Sequence, residues 1–256
     1  MNPDQTSRER QRAFEAFDRI YSVHRAALQV FALVPSLPDA ESLLQTQIRL
    51  NQVKDGNLGA DASQSAAQLL AAASAERDRG LETMRRLTLV SVCGALEYLV
   101  KAVLVDQAAN DPDAATGLLS KAKVKLNAAD VLGLTPLEQW FVIADRLYEQ
   151  LAEQSPMTYE RSVRMLTEFA PFPPGEDQKQ HVINALNKDE IRFFNEAFLV
   201  RNSLVHNGGK VSTALARFAK TRRGELVVLN SKYGTPMLNA LGKFGRTINE
   251  IWLGFL

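Results

Sequence analysis

Three side chains in the last quarter of the chain are of types that could do chemistry together. Arg201, Asn202 and His206 stand in the string Phe198-Leu-Val-Arg-Asn-Ser-Leu-Val-His-Asn-Gly-Gly209. Cleaving an RNA phosphodiester without a metal requires few groups. A ribose 2′-hydroxyl must lose a proton as it attacks phosphorus, and the leaving oxygen must gain one. Negative charge on the phosphoryl oxygens must also be stabilised. Histidine, with an ordinary pKa of about 6.5, moves protons near neutrality. Arginine, permanently charged and forked, suits the phosphate. Asn202 lies four residues before His206 and so shares a helix face with it, where it can orient the imidazole or donate to the phosphate. Arg201 and His206, five residues apart, diverge by roughly 140° around a regular helix. Their Cβ atoms therefore do not point the same way, although the long arginine could curl back to the histidine at the helix end. The plain alternative is an arginine and a histidine that merely finish a core helix.

Competing chemistries lack their residues. Three scattered histidines and the single Cys93 supply none of the usual zinc spacings. Gly209-Lys210 is not a phosphate loop, because Leu204 stands where the first glycine belongs and Val211 where Ser or Thr is required. No G-x-S-x-G elbow is present.

The elements that must position the motif read as helices. Asn187-Lys-Asp-Glu190 is a capping-box pattern, and the motif helix runs from Lys188 to about His206 before the glycine stop. It carries two apolar seams: Ile191, Phe194, Phe198 and Val205, with Arg201 in register, and Phe193, Ala197, Val200 and Leu204. Two seams make this helix central. Upstream, Arg85 to Asp106 is apolar on nearly every side, which places it between several neighbours. Leu87 to Val105 has near-membrane length, but Glu97 and Lys101 would each cost about 2.5–3.5 kcal/mol at mid-membrane, so a buried helix is expected. Glu97 needs a partner if it is buried. Arg201 is one candidate; a surface strip shared with Lys101, four residues on, is the other.

The string Arg201-Asn-Ser-Leu-Val-His-Asn-Gly-Gly209 resembles the signature of the HEPN superfamily (higher eukaryotes and prokaryotes nucleotide-binding), and Cys93-Gly-Ala-Leu-Glu-Tyr-Leu-Val100 is similar to the first core helix of its domains. The resemblance covers roughly residues 85–256 and is specific only at the motif. It implies an all-α bundle and a metal-independent endoribonuclease of toxin or phage-defence type, needing no cofactor. It further implies a homodimer that places two motifs face to face in one cleft, with Arg201, Asn202 and His206 catalytic and RNA as substrate. A neutralising antitoxin or defence-system partner would accompany that role. The alternative is a HEPN-like module without activity that binds proteins or nucleotides.

The rest of the chain fits around that core. Thr6 to Val34 reads as a long helix with Phe14, Phe17, Tyr21, His24, Leu28 and Phe31 on one seam, His24 being a packed core histidine. Ala40 to Val53 and Ser63 to Asp106 are helical, with Gly80 as a break, and Asn110 to Asp113 is a turn. Thr135 caps a helix to about Glu153, Thr158 to Phe169 is a short one, and residues 171–175 are a loop. Residues 224–229 could form one arm of a hairpin near 224–233, and Thr235-Pro236 opens a last helix to about Phe255. The expected division is a helical extension over residues 1–84 and a bundle over 85–256.

Charge is nearly balanced overall at +1, yet residues 201–256 carry +7 and the remainder −6. Lys210, Arg217, Lys220, Arg222 and Arg223 lie just past the motif, where they could attract RNA phosphates or simply form a solvated basic surface. A lone cysteine suits a reducing compartment, and Met1 to Arg10 lacks the apolar core of a signal peptide. A cytoplasmic setting without membrane contact is expected.

Overall fold

The computed structural model describes residues 3–33, 36, 39–54, 62–110, 131–154, 157–169, 176–219 and 222–252. Among these the chain is all α, with ten helices and a single isolated antiparallel bridge. They are α1 (Pro3–Leu33), α2 (Ala40–Lys54), α3 (Ala62–Asp78), α4 (Glu82–Asn110), α5 (Pro136–Gln154), α6 (Thr158–Thr167), α7 (Glu176–Ile183), α8 (Lys188–His206), α9 (Thr213–Ala219) and α10 (Ser231–Trp252). The turn expected beyond Asn110 and the loop at 171–175 lie outside the described residues.

Helix α4 is the hub, touching α1, α3, α5, α6, α8 and α10. Its segment Glu82–Asp106 has the length and apolarity of a membrane span, yet 61% of its most apolar window is buried. Leu89, Val92, Leu96, Leu99, Val100, Val103 and Leu104 are all in the core, as a helix with apolar residues on every side requires. Leu87 and Tyr98 face out, and Val90 is half-buried. The break before α4 is at Gly80 and Leu81, both left-handed, with φ of 67° and 58°.

Helix α8 crosses this hub. Asn187 caps it, its side chain accepting from the amides of Asp189 and Glu190 (3.0 Å each) while the Glu190 carboxylate accepts from the Asn187 amide at 2.8 Å. Phe194, Ala197, Phe198 and Val200 are buried; Ile191, Phe193 and Leu204 are half-buried. Val205, expected on the inner seam, is exposed, because the helix emerges from the bundle in its last turn. Phe194 makes edge contacts with Tyr159 of α6 (5.5 Å between ring centroids) and Phe244 of α10 (5.3 Å). Those aromatics knit three helices at the centre.

Helix α10 begins at Ser231, earlier than Thr235-Pro236 suggests. The Asn230 side chain accepts from the Tyr233 amide at 3.0 Å, and Pro236 is carried within the second turn. Gly242 and Gly245 face α1 so closely that an added Cβ would fall 2.3 Å from the Tyr21 ring and 2.1 Å from that of Phe17. Ala13, Phe17 and Tyr21 of α1 thus enter the same core as α4, α8 and α10. Arg10 on α1 also pairs with the buried Asp106 of α4 at 2.7 Å. His24, placed by sequence on this seam, is partly exposed. Two short helices, α7 and α9, occupy stretches that show no readable period in the sequence.

Candidate functional site

The motif occupies the last turn and a half of α8. That turn is closed by backbone bonds converging on Ser203, whose carbonyl accepts from the amides of Asn207 (3.2 Å) and Gly209 (3.0 Å). Gly208 and Gly209 follow with φ of 58° and 78°, a left-handed pair that a residue with a Cβ rarely adopts. The buried Ser203 hydroxyl accepts from the Ser212 amide at 3.3 Å, anchoring the exit segment. Next come three backbone bonds between the exit and a returning segment. Val227 donates to the Gly209 carbonyl (2.8 Å), Val211 to Glu225 (2.7 Å) and Gly224 to Val211 (3.0 Å). The pairing available to residues 224–229 is therefore with 209–211, through the Lys210–Leu226 bridge, while Ser231 onward is helix.

Arg201 points from α8 toward α4. Its Nη2 lies 3.4 Å from Glu97 Oε2, and its Nη1 donates to Asn202 Oδ1 at 3.0 Å. The side chains of Arg201 and Glu97 are 25% and 22% exposed, so the pair is neither sealed nor fully hydrated. The competing partner for Glu97 is engaged elsewhere, since Lys101 forms an ion pair with Asp145 of α5. Arg201 Nε is buried without a hydrogen-bond partner. Asn202 and His206 are exposed, and the His206 imidazole makes no hydrogen bond or ion pair with a described residue. The Asn202 carbonyl oxygen thus holds the arginine, not the histidine.

The floor beneath this pair is apolar and inert. Burial, reinforced by the Glu97 charge and opposed by that of Arg201, pushes the Cys93 thiol upward. A fully buried thiol with a raised pKa is no nucleophile. Tyr148 of α5 is also pushed upward, by burial first and by Glu97 second.

Sequence reasoning did not single out Arg86. From the second turn of α4 its Nη2 donates to the Val227 carbonyl at 2.6 Å and to Glu82 Oε1 at 2.5 Å. Val227 in turn holds Gly209, so Arg86 fastens the returning segment behind the motif. The only signal was the dibasic pair Arg85-Arg86 at the head of an apolar helix. Of the expected phosphate-attracting residues, Lys210, Arg217, Arg222 and Arg223 are exposed and form no ion pair with a described residue. Lys220 lies outside the described residues. Among the described residues no group of three or more His, Cys, Asp or Glu is placed to hold a metal ion.

No protein-family model, curated protein or solved structure matches the chain.

Proposed function

We propose that the protein is a metal-independent endoribonuclease in which α8 supplies Arg201, Asn202 and His206. The observation that carries this reading is the division of labour at the helix end. Arg201 is held in a half-buried position by Glu97 and Asn202, while His206 stands free in solvent beside a glycine turn and exposed cations. Arg201 would stabilise the charge on the phosphoryl oxygens, His206 would transfer the proton, and Asn202 would fix the arginine. No hydrogen bond joins Arg201 to His206 in one chain, so two copies facing each other through α8 would complete one cleft. Lys210, Arg217, Arg222 and Arg223 would flank it and engage the RNA backbone. A toxin or defence effector in the cytoplasm, restrained by an antitoxin or system partner, is the role this HEPN-like chemistry suggests.

A second reading has a specific observation in its favour. The Glu97 contact already satisfies part of the Arg201 charge, as a purely structural arginine would require, and a HEPN-like interaction module without activity would keep that pair. RNA cleavage by the purified protein in chelator separates the two. The ribonuclease reading expects products ending in 2′,3′-cyclic phosphate, lost in Arg201→Ala and in His206→Ala while circular dichroism is retained. Cleavage that survives in both variants would end the catalytic assignment, and absence of any cleavage by wild type would favour the module.

A further inference from the structure

Beyond the motif, residues 225–229 run as a strand with a partner on one side only. Their exposure alternates as an extended segment requires: Leu226 is 61% and Val228 56% exposed, while Val227 and Leu229 are buried. One edge is taken up by the bonds to residues 209–211. The bridged residues Lys210 and Leu226 form the non-hydrogen-bonded kind of antiparallel pair. The amide and carbonyl of Leu226 therefore point to the opposite edge, and those of Val228, two residues on, do the same. Among the described residues nothing hydrogen-bonds to either.

A groove of about 270 Å³ runs along the segment, lined by each residue from Glu225 to Val228 and walled by Val211, Leu215 of α9 and Tyr233 of α10. Glu225 is the one carboxylate in this lining. Cations outnumber it. Arg222 and Arg223 stand before the segment, Lys232 after it, and Lys210 across the bridge on the same face as Leu226, all exposed. These charges decide the occupant. A second copy of this chain, pairing edge to edge, would bring like charges together. An RNA strand would meet the cations, but it lacks the alternating amides and carbonyls that pair with a strand edge. Leu226 and Val228 also give its bases no aromatic face to stack on. An extended acidic peptide meets all three features.

We propose that the free edge at 225–229 docks an acidic, aliphatic peptide as an added strand. Main-chain bonds to Leu226 and Val228 would hold it, and its aliphatic side chains would enter the groove. Its carboxylates would meet Lys210, Arg222 and Arg223. The segment pairs with Gly209 at the exit of the motif helix, so a docked strand would cover the cations assigned above to RNA. That gives the restraining partner its chemistry; the restraint rests on the ribonuclease reading, whereas the docking does not.

Fluorescence anisotropy of the full chain at low salt, with a labelled, end-blocked heptapeptide of alternating Glu and Val, tests the docking. Binding should be saturable and one to one. N-methylation of every peptide amide should weaken it about tenfold or more, and so should Val228→Pro, which removes one free-edge donor. The methylated peptide keeps the test decisive even if Val228→Pro folds poorly. A peptide of alternating Lys and Val should bind far less, and Arg222→Glu with Arg223→Glu should narrow or reverse that preference. Where wild type cleaves RNA, the Glu-Val peptide should inhibit it. A chain that never cleaves still reports docking by anisotropy, so the two readings fail separately. No saturable binding, equal binding of the methylated peptide, or an RNA oligonucleotide that binds where the peptide does not would each overturn the proposal.

Discussion

Helices α2 and α8 have similar helical character, and they are used in opposite ways. In α8 seven residues are buried, including three that are not aliphatic or aromatic: Asn195, Glu196 and Ser203. In α2 only Ala40 is buried, and Leu43, Leu50 and Val53 face outward. Its neighbour α3 buries only alanines, at positions 62, 66 and 73. A buried methyl removes little apolar surface, and burial contributes about 25 cal/mol per Å². Helix formation in α2 therefore rests on local preference and on its contact with α3, which itself leans on α1 and α4, whereas α8 is held by side chains from four directions. Its three buried polar residues are met, Ser203 by the Ser212 amide. Asn195 accepts from the Tyr159 amide at 2.8 Å, and Glu196 accepts from the Tyr233 hydroxyl at 2.7 Å.

The contrast can be broken or sharpened by substitution. Phe194→Ala at the aromatic centre should destabilise by about 3–5 kcal/mol in urea unfolding; a loss under about 1 kcal/mol would show that the centre repacks. Gly242→Ala forces a Cβ into the Tyr21 ring and should cost roughly 1–3 kcal/mol. Asn187→Ala removes the α8 cap and should cost about 1 kcal/mol. The cap also carries a pH signature. Hydrogen bonds from Lys243 and from the Asn187 amide hold the Glu190 carboxyl below its ordinary 4.5. Its contribution is fully present above that value and is lost as pH falls through the lowered one. The urea midpoint should therefore decline on acidification below about 4.5, less steeply in Glu190→Gln. At the small end, Leu50→Ala on α2 should change stability by no more than about 0.5 kcal/mol. A loss comparable to that of Phe194→Ala would mean the outer face of α2 is covered in solution.

Long periodic helices and capping boxes were legible in the sequence because their information is local. Asn187 and Glu190 announce the start of α8 from three residues' distance, and Gly80 marks the break before α4 by its conformation alone. Helices α7 and α9, at eight and seven residues, are too short to display a period. The start of α10 was obscured because Thr235-Pro236 imitates a helix start, while the capping Asn230 lies one turn earlier. For the candidate site, residue types could nominate Arg201 and Glu97. Choosing between Arg201 and Lys101 as the partner of Glu97 needed the packing of α5, which brings Asp145 to the lysine. Arg86 was out of reach for the same reason, since its target is a backbone carbonyl far along the chain.

The close fit of Phe17 and Tyr21 over Gly245 and Gly242 has a consequence for the order of assembly. These residues sit near opposite ends of the described chain, so their contact has one of the longest loops to close and is among the last to form. During synthesis α1 can dock on α4 early, but its aromatic edge has nothing to meet until α10 has emerged. A nascent chain must carry that apolar edge uncovered for most of its synthesis. Helix α10 is then a latch, and a chain stalled before Gly242 would be recognisable by its exposed phenylalanine and tyrosine.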